Sequence, residues 1–221
     1  MSAPAGALHG LAHVEPGDIE RRSFETIERE LAPRVLDPLT APVVKRVIHT
    51  TADFEFADTL AFSRDAMAAG VEALRAGATV ISDTTMVASG VNKRVLGRFG
   101  GRAVSFIGDE DVAAEARERG MTRSAVCMER AAQVEGPVVL AIGNAPTALV
   151  RIWELLGEGR MAPPALIVAT PVGFVNVVES KELICGLDVP HIVARGRKGG
   201  SAVAAAICNA LLYLASNGER A

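Results

Sequence analysis

Aromatic residues make up only 4% of the 221-residue chain, with one Trp and one Tyr. Packing must therefore rest on Ala, Val, Leu and Gly. The net charge is only −3. Without a global basic field, general nucleic-acid binding is excluded, and any anionic ligand must be met by local cations. Cysteine is scarce: Cys127, Cys185 and Cys208 are an odd number, with no CxxC or Cys/His spacing. That speaks against structural zinc and for a reducing, cytoplasmic setting. HxH is missing, and the one HxxxH pair, His9 and His13, falls in the opening segment rather than among the strands and helices, so no metal is expected. No apolar run approaches the ~20 residues that cross a bilayer. The opening MSAPAGALHGLAHVEPGD lacks the charged start and apolar core of a signal peptide, so neither export nor a membrane partner is expected. GxGxxG after a first strand and a Walker loop are absent too, and no nucleotide or other cofactor is expected.

What is present is an ordinary globular balance, 49% apolar and 22% charged, enough for one large domain. Residues 1–17 read as an irregular arm and 18–221 as a single α/β domain. Across 18–31, Ile19, Ile27 and Leu31 recur near helical spacing, and Pro33 and Pro38 end that helix. Pro42 opens a second helix carrying Val43, Val44, Val47 and Ile48, which ends near His49-Thr50-Thr51. From there short apolar strands alternate with helices. The pattern predicts strands at 59–62, 78–82, 103–107, 138–142, 165–169 and 191–194. It predicts helices at 63–73, around 91–99, and at 112–119, 122–134, 146–156, 177–184 and 201–214. Ser63 and Asp109 read as helix caps, and Gly77 and Gly120 as terminators. Near-continuous apolar strands between helices imply a parallel sheet covered on both faces. The alanine-rich last helix suits close packing on that sheet or on a partner chain.

The unusual residues recur at one kind of place. Asp83-Thr84-Thr85-Met86, Gly108-Asp109, Gly143-Asn144-Ala145-Pro146-Thr147, Thr170-Pro171-Val172-Gly173-Phe174 and the run from Arg195 to Ser201 each follow a predicted strand and precede a helix. Open parallel sheets bind ligands beyond the carboxyl ends of their strands, so these clusters predict one broad polar pocket. In the last cluster Arg195, Arg197 and Lys198 bring charge, Gly199 and Gly200 let backbone N–H groups approach, and Ser201 opens a helix. Together they suit an anion, and a surface turn beside a capped helix is the plain alternative. Asn144 and Thr147 flank a Pro-led helix, as caps or as ligand donors. Thr122-Arg123-Ser124 opens another helix. An arginine there opposes the helix dipole, which fits an anionic partner or plain solvation equally well. Glu179-Ser180-Lys181 suits a solvated helical face, and Asp83 and Asp109 read as caps as readily as acids. Among the four histidines, His9 and His13 lie in the arm and His191 begins a strand. His49 sits near a helix C-terminus, where the dipole favours a cation, and Asp53 could orient it if the helix ran that far. A lone histidine more often serves structure than chemistry.

Seven segments in order carry a resemblance. ERRSF (20–24), RVIHTTADF (46–54), SDTTMVASGV (82–91), TRSA (122–125), IGNAPTAL (142–149), PVGFV…ESK (171–181) and GRKGGSAVAAA…NAL (196–211) resemble the precorrin-8X methylmutase family, over about residues 15 to 215. The resemblance implies a single three-layer α/β/α domain with a flavodoxin-like, doubly wound parallel sheet, and a homodimer. It implies an isomerase of cobalamin biosynthesis that moves a methyl group from ring position 11 to 12 of a polycarboxylate tetrapyrrole. His49 is the catalytic residue it implies, with no cofactor and no metal held by the protein. Substrate contacts carry over to Arg21 and Ser23, to Thr50, to Thr85 and Met86, and to Thr122, Arg123 and Ser124. They continue at Asn144 and Thr147, at Gly173, Ser180 and Lys181, and at Arg197, Lys198, Gly199, Gly200 and Ser201. The family's arm carries a Tyr before an Asp-Pro pair. Here Ala12-His13-Val14-Glu15-Pro16 has no Tyr and has Glu for Asp, which makes His13 a local substitute. Two other readings remain: a tetrapyrrole carrier that turns nothing over, and an enzyme that grips a phosphorylated metabolite at GRKGGS.

Overall fold

The computed structural model describes residues 15–218. They divide into two compact units after Val35. The first holds α1 (Pro16–Leu31), an amphipathic helix begun by Pro16. The other predicted arm residues, His13 included, lie outside the described residues.

In the second unit the strands β2 (Thr79–Ser82), β4 (Val138–Ile142), β5 (Leu166–Ala169) and β6 (His191–Ala194) are buried at every position. That is the signature of strands covered on both faces. β1 (Leu60–Phe62) and β3 (Arg102–Val104) form the edges, in the order β1-β6-β5-β4-β2-β3. The five strands β2 to β6 run parallel. Counted alone they follow the doubly wound order 2-1-3-4-5. One face carries α2 (Ala41–Thr51), α4 (Ala66–Arg75), α5 (Thr85–Gly90), α6 (Lys93–Arg98) and α11 (Ser201–Ala215). The other carries α7 (Glu110–Glu118), α8 (Arg123–Ala131), α9 (Pro146–Gly157) and α10 (Val177–Cys185). On that second face Leu140, Ile142, Ile167 and Val193 meet Val126, Leu149, Ile152 and Ile184. The strand residues between them point the opposite way, as the two-residue pleat requires.

Several expectations are corrected. β1 is antiparallel to β6, pairing Leu60 with Ala194, so the sheet is not wholly parallel. A first strand reached without a crossover has no imposed direction, and apolar periodicity carries none. The helix expected around 91–99 is α6, and a further short helix, α5, precedes it unannounced. Thr84 Oγ1 accepts from Val87 N and Asn92 Oδ1 from Val95 N, so each has its own cap. Ser63 does not cap α4: its hydroxyl accepts from His191 N on β6. Asp109 occupies the N-cap position of α7 without a side-chain bond. β3 ends at Val104, earlier than its apolar run suggests. Before β1 the chain adds a one-turn helix, α3 (Phe56–Thr59), that alternation alone did not reveal.

Candidate active site

The chain leaves β2 toward β3 on one side and leaves β4 toward β5 on the other. A doubly wound sheet opens its crevice at such a reversal, beyond the carboxyl ends of the two strands. Here Asp83 ties the two ends together. One carboxylate oxygen accepts from Gly143 N at 2.8 Å, and the other from Asn144 N at 2.9 Å and Ala145 N at 2.6 Å. Asp83 is buried, and burial pushes its carboxyl above the ordinary range while the three N–H groups pull it back. The amides leading into α9 are therefore spent on the protein's own carboxylate. They cannot also hold a ligand's.

The next strand ends are equally tied. Thr84 and Ser201 share a hydroxyl–hydroxyl hydrogen bond of 3.0 Å, which joins the end of β2 to the start of α11. Gly143 lies against that start: a Cβ on it would stand 2.7 Å from Ser201 Cα. Gly199 presses on Thr170 more closely still, and Gly200 N donates to Thr170 O at 2.7 Å. Thr122, whose hydroxyl caps α8, also donates it to Thr147 Oγ1 on α9 at 2.9 Å. Gly173 N donates to Arg197 O at 3.2 Å, and the Arg197 guanidinium lies 5.7 Å from the Phe174 ring centre. Around this edge stand apolar side chains in solvent: Met86, Val172, Val175 and, at 85% exposure, Phe174.

The end of α2 joins the same edge. His49 is half-buried in the last turn of α2, a helix packed on α11. Ala52 takes a left-handed φ of 53° and closes the helix with its N–H on Ile48 O. The helix thus stops before Asp53, which does not continue it beneath His49. Instead Lys198 Nζ reaches Asp53 at 2.6 Å and Glu55 at 2.7 Å. The Lys198 hydrogen bond holds the Asp53 carboxyl below its usual range, and the Asp53 bond holds the Lys198 ammonium above its own. Exposed as they are, these charges gain little net energy from pairing. Their consequence is geometric, since the glycine-rich loop is fastened to the segment that carries His49.

Comparison with known proteins decides the family. The sequence profile of precorrin-8X methylmutase matches residues 18–214. The chain belongs to the precorrin-8X methylmutase family. A cobalt-precorrin-8 methylmutase of Priestia megaterium is 43% identical over 205 residues, covering 93% of this chain and 91% of that protein. A precorrin-8X methylmutase of Pseudomonas aeruginosa is 45% identical over 197 residues, covering 87% and 93%. The crystal structure of the methylmutase from Thermus thermophilus superposes with a TM-score of 0.82 at 39% identity, covering 91% of this chain and 98% of that one.

The methylmutase motifs fall into three groups in this fold. Thr85, Met86, Thr122, Arg123, Asn144, Thr147, Gly173, Arg197, Gly199, Gly200 and Ser201 stand at the carboxyl edge or at helix starts facing it, with Ser124 one residue further into α8. Arg123 and Arg197 are exposed and have no ion-pair partner among the described residues. A second group has its polar atoms already engaged. Thr50 donates to Arg46 O within α2, and the Ser180 hydroxyl donates to Val177 O in the interior. Lys198 is paired as above, and Arg195 is held by Glu182. Lys181 is completely buried and is corrected from a carboxylate ligand to an internal donor, bonded to Gly196 O and Lys198 O. The third group lies in the first unit: Arg21 pairs with Asp18 and Glu25, and Ser23 donates to Ile19 O. Sequence reasoning missed Asp53 and Glu55 as partners of Lys198, and the tying role of Asp83. A cue for Asp83 was present, an acid at one strand end and a glycine turn at another. Nothing in the sequence gave their adjacency.

Proposed function

We propose that this protein isomerises a polycarboxylate tetrapyrrole by moving one methyl group from ring position 11 to position 12, producing hydrogenobyrinate or its cobalt-bearing counterpart. The observation that carries the reading is the joining of the α2 end, with His49, to the glycine-rich loop through Lys198 and Asp53. It gives one surface both a proton-carrying group and a place for carboxylates.

The chemistry asks little in reagents. The bond from the methyl to C11 breaks as the bond to C12 forms, and no atom is gained or lost. His49 donates a proton or hydrogen bond to the conjugated ring, draws electron density from it and recovers the proton after migration. Acid catalysis of this kind contributes about 10²- to 10⁴-fold. Holding the ring in one strained, oriented pose supplies the remainder. Arg123 and Arg197 take ring carboxylates by charge-assisted bonds, with Asn144, Thr147 and the α11 start beside them. Met86, Val172, Phe174 and Val175 offer the apolar surface that a macrocycle's face requires. Cobalt, where present, arrives with the substrate.

Relatives are named for both metal-free and cobalt-bearing substrates, so the test has two arms. Purified protein is incubated anaerobically with precorrin-8X or with cobalt-precorrin-8. The expected result in at least one arm is a shifted visible spectrum with an unchanged product mass. No spectral change in either arm overturns the reading. We also read the protein as a flavodoxin-like, cytoplasmic homodimer.

A further inference from the structure

Among the described residues Lys181 is the largest fully buried side chain, with none of its surface exposed. Burying an ammonium is costly, and replacing buried charge with a well-packed apolar residue often leaves a fold as stable or more so. Its presence therefore calls for a reason other than core packing. The geometry supplies one. Lys181 extends from α10, and its Nζ donates to Gly196 O and Lys198 O, each at 2.8 Å. Between those two carbonyls lies Arg197, whose own carbonyl accepts from Gly173 N. All three consecutive carbonyls of Gly196, Arg197 and Lys198 are thus held by protein donors. With its carbonyls fixed, the loop sends two cationic side chains to defined places. Arg197 lies over the Phe174 ring, and Lys198 reaches Asp53 and Glu55 below the end of α2. Gly196, at a φ of 77°, makes the turn that presents its carbonyl to Lys181.

We propose that Lys181 is a positioning residue for substrate binding: its buried ammonium fixes the path of residues 196–198 and so aims Arg197 and Lys198, without touching the substrate itself. The inference rests on the methylmutase reading above only for what the aimed side chains bind. Burial lowers the Lys181 ammonium to about 8. At neutral pH the group still carries its proton, so it can donate to both carbonyls. Lys181→Met keeps the stem and deletes the donors, whereas Lys181→Gln retains an N–H donor on a shorter arm.

Two measurements test the inference. The first needs no ligand: amide hydrogen exchange over residues 196–201 is compared between wild type and Lys181→Met. Exchange there is expected to accelerate while the β4 and β5 amides keep their protection. The second is optical titration with hydrogenobyrinate alongside steady-state kinetics. In Lys181→Met, KM and product Kd are expected to rise about tenfold, by a larger factor than kcat falls. Lys181→Gln should recover part of that loss. In the double variant with Arg197→Ala, binding should weaken by less than the product of the two single effects, because part of the Lys181 effect passes through the Arg197 guanidinium. Unchanged exchange with unchanged Kd overturns the proposal, as do fully multiplicative effects in the double variant. Failure of both single variants to fold also overturns it, since Lys181 would then serve the core. A wild-type protein that binds neither macrocycle sinks the methylmutase reading instead, and leaves the exchange result to judge the anchor.

Discussion

Asp53 and Lys198 lie 145 residues apart in sequence, yet their side chains meet at 2.6 Å and fasten the segment after His49 to the loop after β6. At this scale polar groups divide by whether the protein itself already uses them. Asp83, Lys181 and Lys198 have protein partners; Arg123 and Arg197 stand in solvent with no ion-pair partner among the described residues. A mobile polyanion is best met by the second kind, and a loop is best shaped by the first. The role of His49 is tested by separating turnover from binding. His49→Ala should fold, keep its affinity for hydrogenobyrinate and lose about 10²- to 10⁴-fold in kcat. His49→Asn keeps an N–H donor but cannot carry a proton. If Asn restores most of the rate, a neutral hydrogen bond suffices; if it stays as slow as Ala while binding pigment, proton donation is required. Near-wild-type turnover in His49→Ala would falsify the catalytic assignment.

Among elements, the carboxyl edge is organised by ties between turns that lie far apart in the chain. Asp83 is the strongest of them, because one buried carboxylate satisfies three amides at the entrance to α9, where the positive end of the helix favours an anion. Asp83→Asn turns one acceptor oxygen into an NH2 group that faces a backbone donor. The expected cost is about 3 kcal/mol in denaturant unfolding, since bonds to a charged acceptor are worth more than neutral ones and a buried donor would be left unpaired. A change below about 0.5 kcal/mol would remove Asp83 from this role. This tie also marks the limit of what sequence could tell. Strands such as 138–142 and 191–194 were legible to the residue, because a strand buried on both faces is a short unbroken apolar run. Helix starts at Pro42, Thr122 and Pro146 were legible from caps and proline. Helix α5 was not, because Thr84 resembles an ordinary loop residue until it is seen accepting an amide. The direction of β1 and the partners of Lys198 depend on contacts across more than a hundred residues, which local pattern does not encode. The clustering of the motifs at one sheet edge was legible from chain order; which cations are already spent was not.

For the molecule as a whole, the remaining question is assembly, and the burial of α11 reshapes it. The alanine-rich helix suited either the sheet or a partner chain. In the fold it is consumed internally: Val203, Ile207, Leu211 and Leu212 are buried, and the helix packs on α2, α4 and α5 beside β4 and β5. A partner must therefore use another surface. The exposed apolar residues that remain include Trp153 on α9 and the run Val172, Phe174 and Val175 at the carboxyl edge. Contiguous exposed apolar surface marks a binding site, and a macrocycle and a second chain compete to explain the latter run. Its place favours the macrocycle. Phe174 carries the Arg197 guanidinium, and Gly173 is bonded to the glycine-rich loop, so the run is built into the carboxyl edge. Light scattering at micromolar protein should give twice the 23.1 kDa chain mass. Phe174→Asp should keep that mass and weaken hydrogenobyrinate binding about tenfold or more, because an anion would then sit beside Arg197 and face a polyanionic ligand. A fall to the monomer mass with product affinity intact would transfer the run to the subunit interface, and a wild-type monomer with full turnover would refute the dimer.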